Sequence, residues 1–485
     1  MERVTQIDIV GAGNTSSDSG GSALHPVPDD ARTSRVSHQF WIWFGANVAP
    51  INWVLGTLGI QLGLSLRDVI GVIVIGNGIG MAVFGFFVLM GQKTGLTQMV
   101  LARSAFGRYG ANVPAIIQGV MSAGWCAINT WIILDLCAAL FGTLGITVGT
   151  GGRVGIVLAV MALQTILAAR GFTWIAAFER YTVPLTLVVL LAMTISAFAT
   201  LPIHWSYAGA GLAGVARWSA ISTVMTAIGI GWGVGWLAYA ADYSRFVPQS
   251  TSPARLYVGS TLGQFIPVVW LGLLGACLAT ISKTSDPGQL IVQAYGALAI
   301  PVLLLVLHGP VATNILNIYS CTLCAQTIGW KAARSTIAIA VGLFATAFCL
   351  YLVLKGDFAS SLDAWLASLV VWVAPWAAVM LVHYYGFRRG RIDVTSLFRN
   401  TGAGNPIPSV HWPAMLGFLA GIVATWACSY GAVSFMRGPI ATAIGGINLS
   451  WLGGPLVAAA VYYGLGSGIC GKSSIGRGAD DVTIV

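Results

Sequence analysis

The sequence predicts an all-α polytopic membrane protein of twelve transmembrane helices, and three observations predict it. Of its 485 residues 56% are hydrophobic and only 8% are charged. Apolar runs of about 20 residues, the length a helix needs to span a bilayer, recur along the whole chain. Strand-type alternation is absent and the runs are too long for barrel strands, so helices must satisfy the backbone in lipid. The 61 glycines suit helices that pack closely or break.

The net charge of +9 does not indicate nucleic acid, because the basic residues sit singly in loops between apolar spans. Their distribution reports topology instead. The eight cysteines lie almost entirely inside or at the ends of apolar spans and read as small packing residues rather than a disulfide framework. Cys321 and Cys324 form a C-x-x-C, yet no second pair or neighbouring histidine accompanies it, so no metal or redox centre is expected.

Residues 1–38 are rich in Gly, Ser, Asp and Pro, hold no stretch resembling a signal peptide, and read as a disordered cytoplasmic tail. The G-x-G within them follows no strand of a βαβ unit and supports no dinucleotide site. Twelve spans follow, at 39–62, 69–90, 113–142, 153–170, 180–200, 219–240, 257–281, 293–325, 335–354, 361–385, 412–433 and 449–468. The eighth is expected to end before 325 in a short connecting helix. With these spans, Arg67, Arg153, Arg217, Lys283, Lys355 and Arg437 fall on one side and the other eighteen of the 24 basic residues on the opposite side. Positive-inside bias puts both termini in the cytoplasm, residues 469–485 forming a second tail.

Two spans are broken. The first, FWIWFGANVAPINWVLGTLG, carries Gly45, Asn47 and Pro50 at mid-depth, and the sixth alternates Gly229, Gly231, Gly233 and Gly235. Interrupted segments five spans apart point to inverted repeats, here 39–200 and 219–385 with 412–468 added, and to a substrate and ion site at the midplane. The third span places Trp125, Asn129 and Asp135 at membrane depth, where an amide and a carboxylate are costly unless used. Trp125 and Asn129 are four apart and so share a helix face. A flat aromatic surface beside a donor–acceptor amide suits a flat, polar heterocycle. The eighth span adds His308, Thr313, Asn314 and Asn317, with Gly309 and Pro310 positioned to free backbone carbonyls.

The segments GQKTGLTQMVLARSAFGRYGANVP, AADYSRF, ATNILNIYS and INLSWLGGPLVAAAVYY, in that order, resemble the nucleobase-cation symporter family of purine, cytosine, hydantoin and allantoin permeases, over about residues 38–468. INTW and TNILNIYS resemble its purine-cytosine branch. The resemblance implies a LeuT-like fold of five-plus-five inverted repeats with two further helices, and a base stacked between aromatics of spans three and six. By position it implies substrate contacts from Trp125, Asn129, Trp232 or Gly233, Trp236, Ala49, Asn314 and Asn317, the last two as substrate-facing or helix-bridging groups. It implies a sodium ion held by the carbonyls of Gly45, Val48 and Gly309 and the hydroxyl of Thr313. Ala312 stands where a serine hydroxyl is expected, which removes a ligand.

Proton coupling would instead need a titratable carrier, for which Asp135, Glu179 and His308 are candidates; Glu179 can also pair with Arg180 at the interface. Asp242 and Arg245 are expected in a gate or helix-end network. No catalytic or nucleotide-binding motif is present, so an enzyme is not expected. No cofactor beyond H+ or Na+ is implied. The expectation is an inner (plasma) membrane importer of cytosine or a purine, functional as a monomer in the lipid bilayer without nucleic acid. Allantoin, hydantoin, thiamine or nucleoside transport is the alternative substrate reading, and a non-transporting solute sensor the alternative from another class.

Overall fold

The computed structural model describes residues 24–49, 51–170, 172–282, 286–399, 406–431 and 433–473. Among them every regular element is helical. The first predicted span is two helices, α1 (Val36–Asn47) and α2 (Ile51–Gln61). Asn47 turns its side-chain amide back to the Trp43 carbonyl at 2.8 Å, and the Asn52 amide donates to the Asn47 carbonyl at 2.5 Å. The Asn52 side chain thus serves the Asn47 carbonyl, which an unbroken helix would pair.

Next come α3 (Leu66–Thr94), α4 (Gln98–Phe106), α5 (Asn112–Thr143), α6 (Thr150–Arg170) and α7 (Phe172–Thr200). The sixth span starts as α8 (Gly214–Val224) and widens into a π turn at Met225–Ile230. It continues as α9 (Gly231–Gly235), tightens to a 3-10 turn at Leu237–Tyr239 and ends as α10 (Ala240–Ser244). Then follow α11 (Pro253–Ala279), α12 (Pro287–Tyr295), α13 (Ala299–Val306), α14 (His308–Thr327) and α15 (Arg334–Lys355). The chain closes with α16 (Phe358–Leu381), α17 (Trp412–Ala427), α18 (Pro439–Ala443) and α19 (Ser450–Ser473). Among the described residues, eight helical stretches are long and apolar enough to cross a membrane, and the segments 184–200 and 412–427 are shorter apolar helices.

Three expectations change. The amino-terminal tail is shorter than residues 1–38: Arg32 is buried and donates to the carbonyls of Val27 and Gln92, and the Val27 amide donates to Gly95, so the chain is tied to the end of α3. Residues 1–23 and 474–485 lie outside the described residues. The predicted eighth span begins too early. Asp286 caps the separate helix α12 by accepting from the amides of Gly288 and Gln289, and Gly296 (φ 51°) breaks the chain before α13. No connecting helix follows, because α14 runs on to Thr327. The segment between spans two and three, whose sequence carries the family resemblance, contains α4; Asp242 accepts from the Gln98 amide at 2.8 Å at the start of that helix. Asp242 therefore belongs to a helix-end network, where a carboxylate complements the N-terminal dipole.

Two of the alternating glycines of the sixth span, Gly229 and Gly233, have a packing cause. A Cβ on Gly229 would lie 2.9 Å from the Gly76 Cα, and one on Gly233 would lie 2.6 Å from the Gly80 carbonyl carbon. Two pairs of glycines four residues apart, one on α3 and one on the broken span, let the backbones touch. Elsewhere α5 packs along α14, and α1, α2 and α3 pack on α11. These contacts bring the break of the first span against the irregular stretch of the sixth.

Candidate functional site

One cleft opens where these elements meet. Ala46 and Ala49 reach it from the break of the first span, Trp125 and Asn129 from α5, Trp232 and Trp236 from the broken sixth span, and Thr313 and Asn317 from α14. Leu369 of α16 closes one side and Tyr239 lies at one end.

The walls are aromatic. The Trp125 and Trp232 rings stand edge to face, centroids 5.6 Å apart at 85°, and Trp365 packs at 6.3 Å beside Trp125. They are not two parallel plates in this conformation. Trp232 is fixed by its indole N–H, which donates to Asn47 Oδ1 at 2.9 Å. Trp236 packs on Trp43 and Tyr239. The Tyr239 hydroxyl shares a hydrogen bond with Ser122 at 2.8 Å, joining the sixth span to α5.

Of the residues expected at a substrate site, Trp125, Asn129, Trp232, Trp236, Ala49 and Asn317 line this cleft. Gly233 does not: it faces Gly80 on α3, which leaves Trp232 and Trp236 as the span-six rings on the wall. Asn314 does not either. It is fully buried; its amide nitrogen shares two protons among the Cys126 carbonyl, the Thr130 hydroxyl and Gln164 Oε1 at 3.0–3.1 Å, and its oxygen accepts from Asn129. It is a helix-bridging residue, one step round α14 from the cleft face.

The oxygens expected to hold sodium are used locally. The Gly45 carbonyl accepts the Val48 amide at 3.3 Å and the Gly309 carbonyl accepts the Thr313 hydroxyl at 3.0 Å. Only Thr313 of the four borders the cleft. Asp135 is buried, away from the cleft, 3.6 Å from the partly exposed Arg153 guanidinium. Outside the spans, burial pushes the Asp286 carboxyl above the usual carboxylate range. The side chains of Glu179 and His308 lie outside the described residues.

Sequence reading missed Asn47 and Tyr239 as site residues. Asn47 was visible as a mid-span amide but was read only as a helix breaker. Tyr239 carried no signal beyond lying one turn past Trp236.

A family model for permeases for cytosine/purines, uracil, thiamine and allantoin matches residues 26–454. The Bacillus subtilis protein YxlA, named as a candidate purine-cytosine permease, is 28% identical over 445 residues, 90% of this chain and 93% of its own. The purine-cytosine permease FCY2 of Saccharomyces cerevisiae is 23% identical, covering 76% of this chain and 71% of its own. The structure of Mhp1, a nucleobase-cation-symport-1 family transporter in a closed conformation with bromovinylhydantoin bound, superposes with a TM-score of 0.73 at 18% identity, over 93% of this chain and 96% of that one. An inward-facing structure of Mhp1 gives 0.69. The fold is thus the LeuT-like one.

Proposed function

Because the chain belongs to the family of permeases for cytosine/purines, uracil, thiamine and allantoin, we propose that it imports a nucleobase, cytosine or a purine, by cation symport with alternating access. One observation carries the substrate reading: two indoles and two amides, Trp125, Trp232, Asn129 and Asn317, converge on one cleft where the first and sixth spans break. The base lies between the Trp125 ring and a Trp232 ring turned onto its other face, and the amides read its polar edge. Stacking is worth about 1–3 kcal/mol per base and a net hydrogen bond about 1 kcal/mol. Two stacks and three bonds, less ordering costs, correspond to binding near the micromolar level.

The driving ion is a proton or sodium. The sodium reading uses the carbonyls of Gly45, Val48 and Gly309 with Thr313, short of one hydroxyl at Ala312; the proton reading uses Asp135, Glu179 or His308. The chain acts in the plasma membrane with both termini cytoplasmic, as a monomer, through inverted repeats at 39–200 and 219–385. Coordinated rocking of these halves is supported by the glycine contact between α3 and the sixth span, which permits close sliding without interlocked side chains.

Uptake of radiolabelled cytosine into proteoliposomes, competed by purines, pyrimidines, allantoin, hydantoins and thiamine under an imposed sodium or pH gradient, tests the reading. Competition by bases with gradient-driven accumulation is expected. Accumulation competed only by the other heterocycles would reassign the substrate, and the gradient that drives it identifies the ion.

A further inference from the structure

Asn129 is held one way round by groups that never reach the cleft. The Cys126 backbone carbonyl can only accept, so the Asn314 atom 3.0 Å from it is the amide nitrogen. The same nitrogen lies 3.1 Å from Gln164 Oε1 and 3.1 Å from the Thr130 hydroxyl. Asn314 Oδ1 must therefore point the other way, where it accepts from Asn129 Nδ2 at 3.0 Å. Asn314, Gln164 and Thr130 are fully buried, and Asn129 is 3% exposed, on the cleft wall. With its nitrogen turned to Asn314, Asn129 carries its Oδ1 on the opposite branch, where no protein group among the described residues donates to it.

We propose that Asn314, locked by the Cys126 carbonyl with Gln164 on α6 as a further acceptor, is a positioning residue that sets Asn129 to present an accepting oxygen to the substrate. It thereby makes the site prefer a heterocycle carrying an exocyclic amine over its keto analogue. This rests on the nucleobase reading above and deepens it. An amino base and its keto analogue show opposite donor and acceptor patterns on the same edge. A free amide would turn over to meet either; a held one cannot. Turning Asn129 over would set its oxygen against Asn314 Oδ1, and turning Asn314 as well would set an oxygen against the Cys126 carbonyl. Buried polar groups left unpaired this way are costly. Among the described residues Gln164 Nε2 has no partner, so only the accepting oxygen of Gln164 is in use.

The test is competition binding of radiolabelled cytosine to the purified full-length chain, with adenine against hypoxanthine and cytosine against uracil as matched pairs. The wild type is expected to favour the amino member of each pair by about fivefold or more, one hydrogen bond's worth. Asn314→Leu, similar in size but without the oxygen that accepts from Asn129, should bring the ratio toward one, and Asn314→Asp, which keeps an accepting oxygen there, should retain it. If Asn314→Leu is not recovered folded, Asn314→Ala, which also removes that acceptor, is read in its place. A residue important only for packing would weaken both members of each pair equally and leave the ratio alone. An unchanged ratio in the variants, or a wild type that favours the keto bases or neither, overturns the positioning role while leaving base transport standing. A wild type that binds no base at all overturns the nucleobase reading and this inference with it.

Discussion

Replacing Trp125 by alanine separates what that ring does for the fold from what it does for substrate. In the free protein the ring makes two edge-to-face contacts, with Trp232 at 5.6 Å and Trp365 at 6.3 Å. Each is worth about 0.5–1.5 kcal/mol beyond area burial. These terms are present in the free protein, so their loss appears as about 1–3 kcal/mol of stability. Stacking of a base on the Trp125 face exists only in the complex and is worth a further 1–3 kcal/mol or so. Trp125→Ala should therefore weaken binding by about 5- to 150-fold, with a separate fall in melting temperature. Trp125→Phe keeps a ring at the position and should lose less than about tenfold. The assay is equilibrium binding of radiolabelled cytosine beside thermal unfolding of the same preparations. A Trp125→Ala protein that melts lower but binds cytosine with unchanged affinity would refute the stacking role and leave Trp125 as packing.

Asn47→Leu leaves the buried Trp232 indole N–H without its acceptor, a cost of about 1–3 kcal/mol; initial-rate uptake should show a raised KM together with reduced thermal stability. Gly233→Val would drive a side chain into the Gly80 backbone, 2.6 Å from the new Cβ. It should fail to accumulate in the membrane, whereas Gly235→Ala, whose Cβ meets only Leu369 at 3.8 Å, should accumulate normally by immunoblot. His411, just ahead of α17, has its pKa lowered by burial, which outweighs the favourable bond from its ring to the Ala105 carbonyl. The folded state thus binds fewer protons than the unfolded one, so its contribution is complete above the ordinary histidine value of 6.5 and is lost as pH falls below it. Thermal unfolding of purified protein should show a drop in stability on acidification through that window, and His411→Gln should show a smaller one.

The membrane spans were legible because length is a strong signal: about 20 apolar residues can hardly be anything else in a chain with so few charges. The break of the first span was legible because Gly45, Asn47 and Pro50 crowd one turn at mid-depth. Other features depend on tertiary partners that no local pattern announces. Arg32 looks like a tail residue until the carbonyls of Val27 and Gln92 are brought to it. Helix α12 was hidden because its apolar residues merge with those of α13, and only the Asp286 cap and the positive φ of Gly296 separate them.

Within the cleft, what was legible and what was not follows helical spacing. Three of the elements that line it contribute residues four apart: Trp125 and Asn129 on α5, Trp232 and Trp236 on the sixth span, Thr313 and Asn317 on α14. Residues at that spacing share a face. Gly233 and Asn314, each one residue beyond the first member of its pair, are turned about 100° away and meet another helix instead. The four-residue rule was applied to Trp125 and Asn129 and would have sorted the other two pairs as well. What it could not supply is the direction of an amide once on the correct face. That direction depends on the Cys126 carbonyl and on Gln164, 35 residues beyond Asn129 in the sequence. The face that meets a substrate is thus written in local spacing, and the polarity of the edge that reads it is written in the packing behind.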